Sequence, residues 1–268
     1  MHVQLLSLAL GLYSVGLIHS VVTVLRKKQT LFKPAVAAML LGFVCHVASM
    51  IFRAYELQAI PLGQRYESFS LFAAAAVLAF LLVHWRYKIS SMGIFAFPAI
   101  FVMTFIAYMS YDSSRVLPEA LQSEWIFIHV PSVLFGYVAL FIAFSAAVLY
   151  LIQARELKSK QPKMFFNRLP SLEMCDDLAY RSLAIGFPLM TLGILSGALW
   201  AQQVWGPAWT SDPKILLSFS TWLIYLLLIH YRLISGWRGK KAAYQAIAGF
   251  VGVLVTFSLS GGLHAFAP

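Results

Sequence analysis

The residues able to do chemistry in this chain are a cluster of tryptophans, a few histidines and two or three acids. Trp200, Trp205 and Trp209 fall within ten residues of one another. They flank and occupy a connector, Trp205-Gly206-Pro207-Ala208-Trp209-Thr210-Ser211-Asp212-Pro213-Lys214, whose Gly and Pro restrict the backbone. One Trp at the end of a membrane helix is an interfacial anchor. Three indoles with an Asp and a Lys in one turn-rich loop, at about residues 200–214, suit a large flat apolar ligand instead. His129 and His264 lie near the ends of two apolar stretches, at the level of this loop, and two imidazoles converging on one iron are a common haem arrangement. Isolated His residues at helix ends are also ordinary, and that reading stands beside the first. Asp212 or Glu67 are candidates to hold an imidazole N–H. Neither His has a Cys or carboxylate at short ligand spacing, so zinc is the weaker reading.

The elements that must carry these side chains follow from composition. The chain is 60% hydrophobic and 11% charged, with a mean hydropathy of +0.78, far from a soluble domain. A helix crossing a bilayer needs about 20 mostly apolar residues. Eight stretches qualify: 3–25, 34–55, 67–86, 92–110, 125–152, 182–203, 215–234 and 242–265. Only helices and closed barrels satisfy their own backbone groups in lipid. The expected fold is therefore an all-α polytopic membrane protein, a bundle of about eight transmembrane helices forming a single domain over 1–268.

A net charge of +10 raises nucleic acid as a ligand, but the distribution of charge excludes it. Except for Arg53, Arg65, Arg115 and Lys214, every Lys and Arg falls in alternate connections: 26–33, 86–88, 155–181 and 232–241. The positive-inside rule then places those connections in the cytoplasm and both termini and the Trp loop on the external, periplasmic side. The first span has no basic region before it and no small-residue cleavage site, so it reads as a retained helix.

Further positions carry narrower expectations. His46 sits at mid-span, where an ionisable group faces the bundle interior, and a neutral, hydrogen-bonded packing role is expected. Glu67 either orients a His or Arg or favours the start of a helix by its charge. Pro131 is placed at an early helical position, and Ser171 at an N-cap with Glu173 in the first turn. Cys175 is assigned to the cytoplasmic connection, and neither it nor Cys45 is expected to form a disulfide. Gly261 and Gly262 would let a flat ligand approach the backbone.

These residues resemble a known family. Trp205, Gly206, Trp209, Asp212, Pro213 and Lys214 match the WWD signature, close to WGxYWSWDPKE, of the CcsA, ResC and HemX family of cytochrome c assembly. Pro207 or Ala208 stands where that pattern has Tyr, Ser211 where it has Trp, and Ile215 where it has Glu. Pro61, Leu62, Tyr66, Glu67 and Ser68 are similar to its PLxNxYES segment. His129, followed by Val130 and Gly136-Tyr137, resembles the family's first external His. His264, in Leu263-His264-Ala265-Phe266, resembles its second, usually LHSYA.

The resemblance implies transport of haem across a bacterial cytoplasmic (inner) membrane and its presentation to apocytochrome c. The cofactor would be haem b, with His129 and His264 as axial ligands of the iron under the Trp residues. His230 resembles the transmembrane His held to bind incoming haem, with His19 or His84, or a separate subunit, supplying its partner. The implied partners are haem, a ResB/CcsB-like membrane subunit and the CxxCH segment of the apocytochrome. As the haem-handling part of a cytochrome c synthase the chain would need no nucleophile of its own, and no catalytic residue is assigned. A HemX-like regulator of a tetrapyrrole-pathway enzyme is the alternative. A b-type cytochrome is a third reading, but it calls for two His pairs at opposite depths on shared helices.

Overall fold

A computed structural model describes residues 1–26, 30, 32–58, 60–61, 65–111, 123–159 and 169–258. Among them the chain is all-helical, with eight helices long and apolar enough to cross a membrane: α1 (His2–Arg26), α2 (Phe32–Leu57), α3 (Arg65–Tyr87), α4 (Gly93–Met109), α5 (Glu124–Lys158), α6 (Leu172–Trp205), α7 (Pro213–Ile234) and α8 (Lys240–Ser258). The expected spans agree with these to within two residues except at two ends, and the expected end of the eighth span at 265 lies outside the described residues. α5 continues past residue 152 and α6 begins ten residues before 182, because apolarity marks where a helix leaves lipid, not where its hydrogen bonds stop. At 35 residues, α5 is about 52 Å long, well beyond the ~30 Å hydrocarbon core.

Two positions are corrected by the observed helix starts. The Ser123 side chain accepts from the Trp125 N–H and caps α5, so Pro131 lies two turns inside the helix rather than near its start. There it removes one main-chain bond. Cys175 belongs to α6 and is buried, not part of a connection; it and Cys45 are free thiols. Ser171 accepts from the Met174 N–H, and Glu173 stands in the first turn, as expected.

The chain divides into two compact units, Met1–Leu117 and Pro118–Pro268. In the first, α1 packs on α2 and α4, and α3 on α2 and α4, which closes a ring of four helices. Tyr13, Met39, Val77, Phe97 and Ile100 are fully buried between them. His46 is completely buried and bonded on both ring nitrogens, Nδ1 to the Tyr13 hydroxyl at 3.2 Å and Nε2 to the Ser70 hydroxyl at 2.8 Å. It ties α1, α2 and α3 together as the expected packing residue. Gly42 provides the room, since a Cβ there would meet the Tyr13 ring.

In the second unit α5 packs on α6 and α8, and α7 on α6 and α8. Lipid gives helices no hydrophobic reason to associate, so close backbone approach at small residues carries much of the contact. A Cβ on Gly136 would lie 3.1 Å from the Met190 nitrogen, and one on Gly186 3.1 Å from the Gly136 oxygen. A Cβ on Gly193 would meet Val133 at 2.6 Å. On the other side, the Tyr225 and Thr221 side chains of α7 lie against Gly249 and Gly252 of α8. Trp222 Nε1 donates to Thr191 Oγ1 at 2.9 Å and its indole stacks on Phe187, joining α7 to α6.

Replacing Gly136 by Leu is expected to destabilise the detergent-solubilised protein by about 1–3 kcal/mol, as overpacking does. Gly11→Leu, in open space, should change stability by less than about 0.5 kcal/mol. Thermal unfolding of the two variants beside wild type checks the difference.

Candidate aromatic and histidine site

The start of α5 and the end of α6 meet at one end of the second unit. His129, in the second turn of α5, is half-buried and turned onto α6, where its Nδ1 lies 2.7 Å from the Gly193 carbonyl oxygen. A carbonyl only accepts, so Nδ1 carries the proton and Nε2 keeps its lone pair. This is the tautomer of a His whose ligating nitrogen is Nε2. Gly197, one turn along α6, leaves the space for the ring: a Cβ there would be 2.6 Å from His129 Cε1 and Nδ1.

The aromatic floor begins beside this imidazole. Trp200 is buried and stacks on His129 with ring centroids 6.4 Å apart and planes 21° from parallel. Trp205, the last residue of α6, meets Trp200 edge-on at 4.8 Å. The chain then turns at Gly206, whose φ of +57° suits a residue without a side chain, into a 3-10 segment, Gly206–Ser211. Trp209 in that segment is half-buried, and its Nε1 donates to the Gln202 side chain at 2.8 Å. The connector is thus rigid, as its composition indicated.

Asp212 ends the connector and starts α7. Its Oδ1 accepts from the Lys214 and Ile215 N–H groups at 2.9 and 3.2 Å, with Pro213 in the first turn. The motif's Asp-Pro-Lys is therefore a helix start: N-cap, then Pro at N1. Ile215 occupies N3, the position from which a Glu reaches back in a capping box, so its departure from the family form touches how α7 begins. The expectation that Asp212 or Glu67 holds an imidazole N–H is corrected for His129, since the Gly193 carbonyl occupies that nitrogen.

Glu67 has a different setting. It lies in the first turn of α3, 3% exposed, and accepts from Arg53 Nε at 3.1 Å. Both sequence-based roles are met: Glu67 orients an Arg and places its charge at the start of α3. Around this buried pair gather His2, whose Nδ1 lies 2.6 Å from Glu56 Oε2, and the rings of Tyr66 and Tyr111. His2 was not singled out from the sequence; a His next to the initial Met gives no signal of burial.

His230 is exposed near the end of α7, at the opposite end of that helix from the Trp connector. His19 is half-buried on α1 in the first unit. His84, also in the first unit, lies between Phe32 and Phe80 with ring centroids 5.3 and 5.9 Å away. His264, with Gly261 and Gly262, lies outside the described residues, as does Leu62 of the second motif. Among the described residues, no group of three His, Cys, Asp or Glu side chains could hold a metal ion. Sequence reasoning also missed Gly193, Gly197 and Gln202. The i, i+4 spacing of the two glycines was visible, but their partner is on another helix.

The architecture is that of a polytopic helical membrane protein that holds a His and a row of indoles at one end of a glycine-packed helix pair. Residues 62–264 match the family described as cytochrome C assembly protein. Among curated proteins, the chain is 31% identical over 258 residues to cytochrome c biogenesis protein CcsA of Chlorella vulgaris, covering 83% of this chain and 82% of that one. It is 32% identical over 267 residues to CcsA of Prochlorococcus marinus (strain MIT 9301), covering 90% and 86%. The chain belongs to the cytochrome c assembly protein family. Membership supports a role in cytochrome c biogenesis and gives no support to the regulatory alternative.

Asp212→Ala should cost about 1 kcal/mol of stability through loss of the cap, whereas Asp212→Asn should retain most of it. Thermal unfolding of both variants checks the assignment; equal losses in the two would assign the carboxylate a role beyond capping.

Proposed function

We propose that this protein carries haem across a bacterial cytoplasmic membrane and presents it to apocytochrome c, with residues 1–268 working as one haem-handling domain. The observation that carries the reading is the His129 imidazole: Nδ1 is held by Gly193, Nε2 is left for a metal, and Trp200 is stacked beside it. Gly197 leaves the imidazole its space, and Trp200, Trp205 and Trp209 at the same end offer the apolar aromatic surface that a porphyrin face packs against. In this reading His264 would supply a second nitrogen to the iron, and Asp212 holds the connector in place.

Bound haem b supplies vinyl groups that the two thiols of a client CxxCH segment convert to thioethers. The chain's own residues bind and orient. His129 and His264 would hold the iron, and the Trp row would cover the porphyrin face against water and oxidant. No residue acts as nucleophile; positioning carries the step. His230, exposed on α7, receives haem at the other end of the second unit, its second ligand coming from a ResB/CcsB-like subunit. The basic connections lie in the cytoplasm and the Trp connector and both termini outside.

Purified wild type is expected to show the visible spectrum of low-spin, bis-His haem. His129→Ala and His264→Ala should each lose or convert it, and Gly197→Val, which pushes the imidazole off Gly193, should weaken haem retention by about tenfold or more. A colourless wild type from haem-replete cells would overturn the reading.

For the topology, Cys45→Ser/Cys175→Ser protein carrying Ser211→Cys should react with a membrane-impermeant maleimide on intact cells. The same protein carrying Arg238→Cys should react only after lysis. The reverse pattern would invert the orientation.

A further inference from the structure

The other end of the second unit carries charge that haem delivery does not use. α5 runs on past the apolar stretch, and Leu151, Ile152, Arg155 and Lys158 fall on one face at helical spacings of three and four. α8 packs against α5 and begins with Lys240, one turn before Tyr244. These side chains line one cavity of about 560 Å³.

Its lining is divided by chemistry. Arg155, Lys158 and Lys240 are exposed, and among the described residues no ion pair holds any of them. No carboxylate is among the lining residues. Asp176, next to the start of α8, is already committed: both its oxygens take Arg232, at 2.9 and 2.7 Å, and one also takes the Gly239 N–H at 3.0 Å. Three uncompensated cations at one mouth repel each other unless an anion lies among them. Besides Ser159 at the charged end, the remaining wall is Leu151, Ile152 and the exposed ring of Tyr244. These lie on the side that leads back along both helices toward the apolar stretches, and a Tyr there suits the headgroup level.

We propose that this groove binds the phosphate headgroup of an anionic phospholipid, with an acyl chain along Leu151, Ile152 and the Tyr244 ring. Basic pockets between membrane helices bind such headgroups through the charge of their Lys and Arg side chains. Free phosphate shares the charge but has no use for the apolar wall. A zwitterionic lipid has the chain but not the net charge. The site is independent of the haem reading, and its failure would leave that reading untouched.

The test is native mass spectrometry of the full-length protein, solubilised in neutral detergent and supplied in turn with phosphatidylglycerol, phosphatidylcholine and inorganic phosphate. Wild type is expected to retain phosphatidylglycerol in preference to phosphatidylcholine. The triple variant Arg155→Gln/Lys158→Gln/Lys240→Gln should retain it at least about tenfold less. Two controls keep charge and folding apart. Arg155→Lys/Lys158→Arg/Lys240→Arg should behave as wild type, and Lys33→Gln/Arg86→Gln/Lys88→Gln, which removes three exposed cations of the first unit, should retain the lipid fully. Equal loss in the first-unit variant, equal retention in the groove variant, or binding of inorganic phosphate with phosphatidylglycerol unretained would each overturn the proposal.

Discussion

Everything at the candidate site depends on how closely α5 and α6 approach. In water two helices are driven together by burying apolar stripes, but in lipid that gain is nearly absent, and contact must come from packing atoms at short range. Gly136, Gly186 and Gly193 bring main chain against main chain or against the base of Val133. Once the pair is seated, Gly193 O is within reach of His129 and Gly197 leaves the imidazole its space. The same stretch of α6 therefore sets the helix contact, the tautomer of the His and the position of Trp200.

The first unit is built on another device, buried polar contacts. His46 bonded on both nitrogens, and Arg53 paired with Glu67, are groups whose removal from water is costly unless every partner is present. Replacing one member of such a pair leaves the other uncompensated, so these side chains select one register of α1, α2 and α3 over neighbouring ones. In the second unit an ion pair of this kind stands at the far end from the tryptophans. There Asp176 joins Arg232 of α7 to the Gly239 N–H before α8, with Arg232 also 4.6 Å over the Tyr180 ring. The contact binds the ends of three helices where the chain meets charge and water, which leaves the glycine-packed end to the His and Trp residues.

Much of this was legible in one dimension. Eight spans can be counted from apolar run length alone, because a bilayer imposes a fixed thickness and only a helix of about 20 residues meets it. Ser171 as a cap, His46 as a bonded packing residue and the stiffness of the Trp connector follow from local chemistry for the same reason: each depends on neighbours a few residues away or on depth in lipid. Helix ends were less legible. Polar and charged residues before 182 end the apolar run but do not break the hydrogen bonds of α6, so Cys175 falls inside a helix that run length starts later.

The site shows where the division falls. Residue type and order determined that three indoles, Asp212 and His129 stand near the ends of apolar helices, and that a family of cytochrome c assembly shares their pattern. Only the tertiary structure decided which atom meets which. Asp212, read from the sequence as a partner for an imidazole, caps α7, while a main-chain carbonyl of Gly193, with no side chain to announce it, holds His129. Glu67 meets Arg53, and Trp209 meets Gln202. Such pairings join residues on different turns or helices, and their distances are set by how the helices pack; sequence spacing specifies the face a side chain occupies but not the neighbour it finds there.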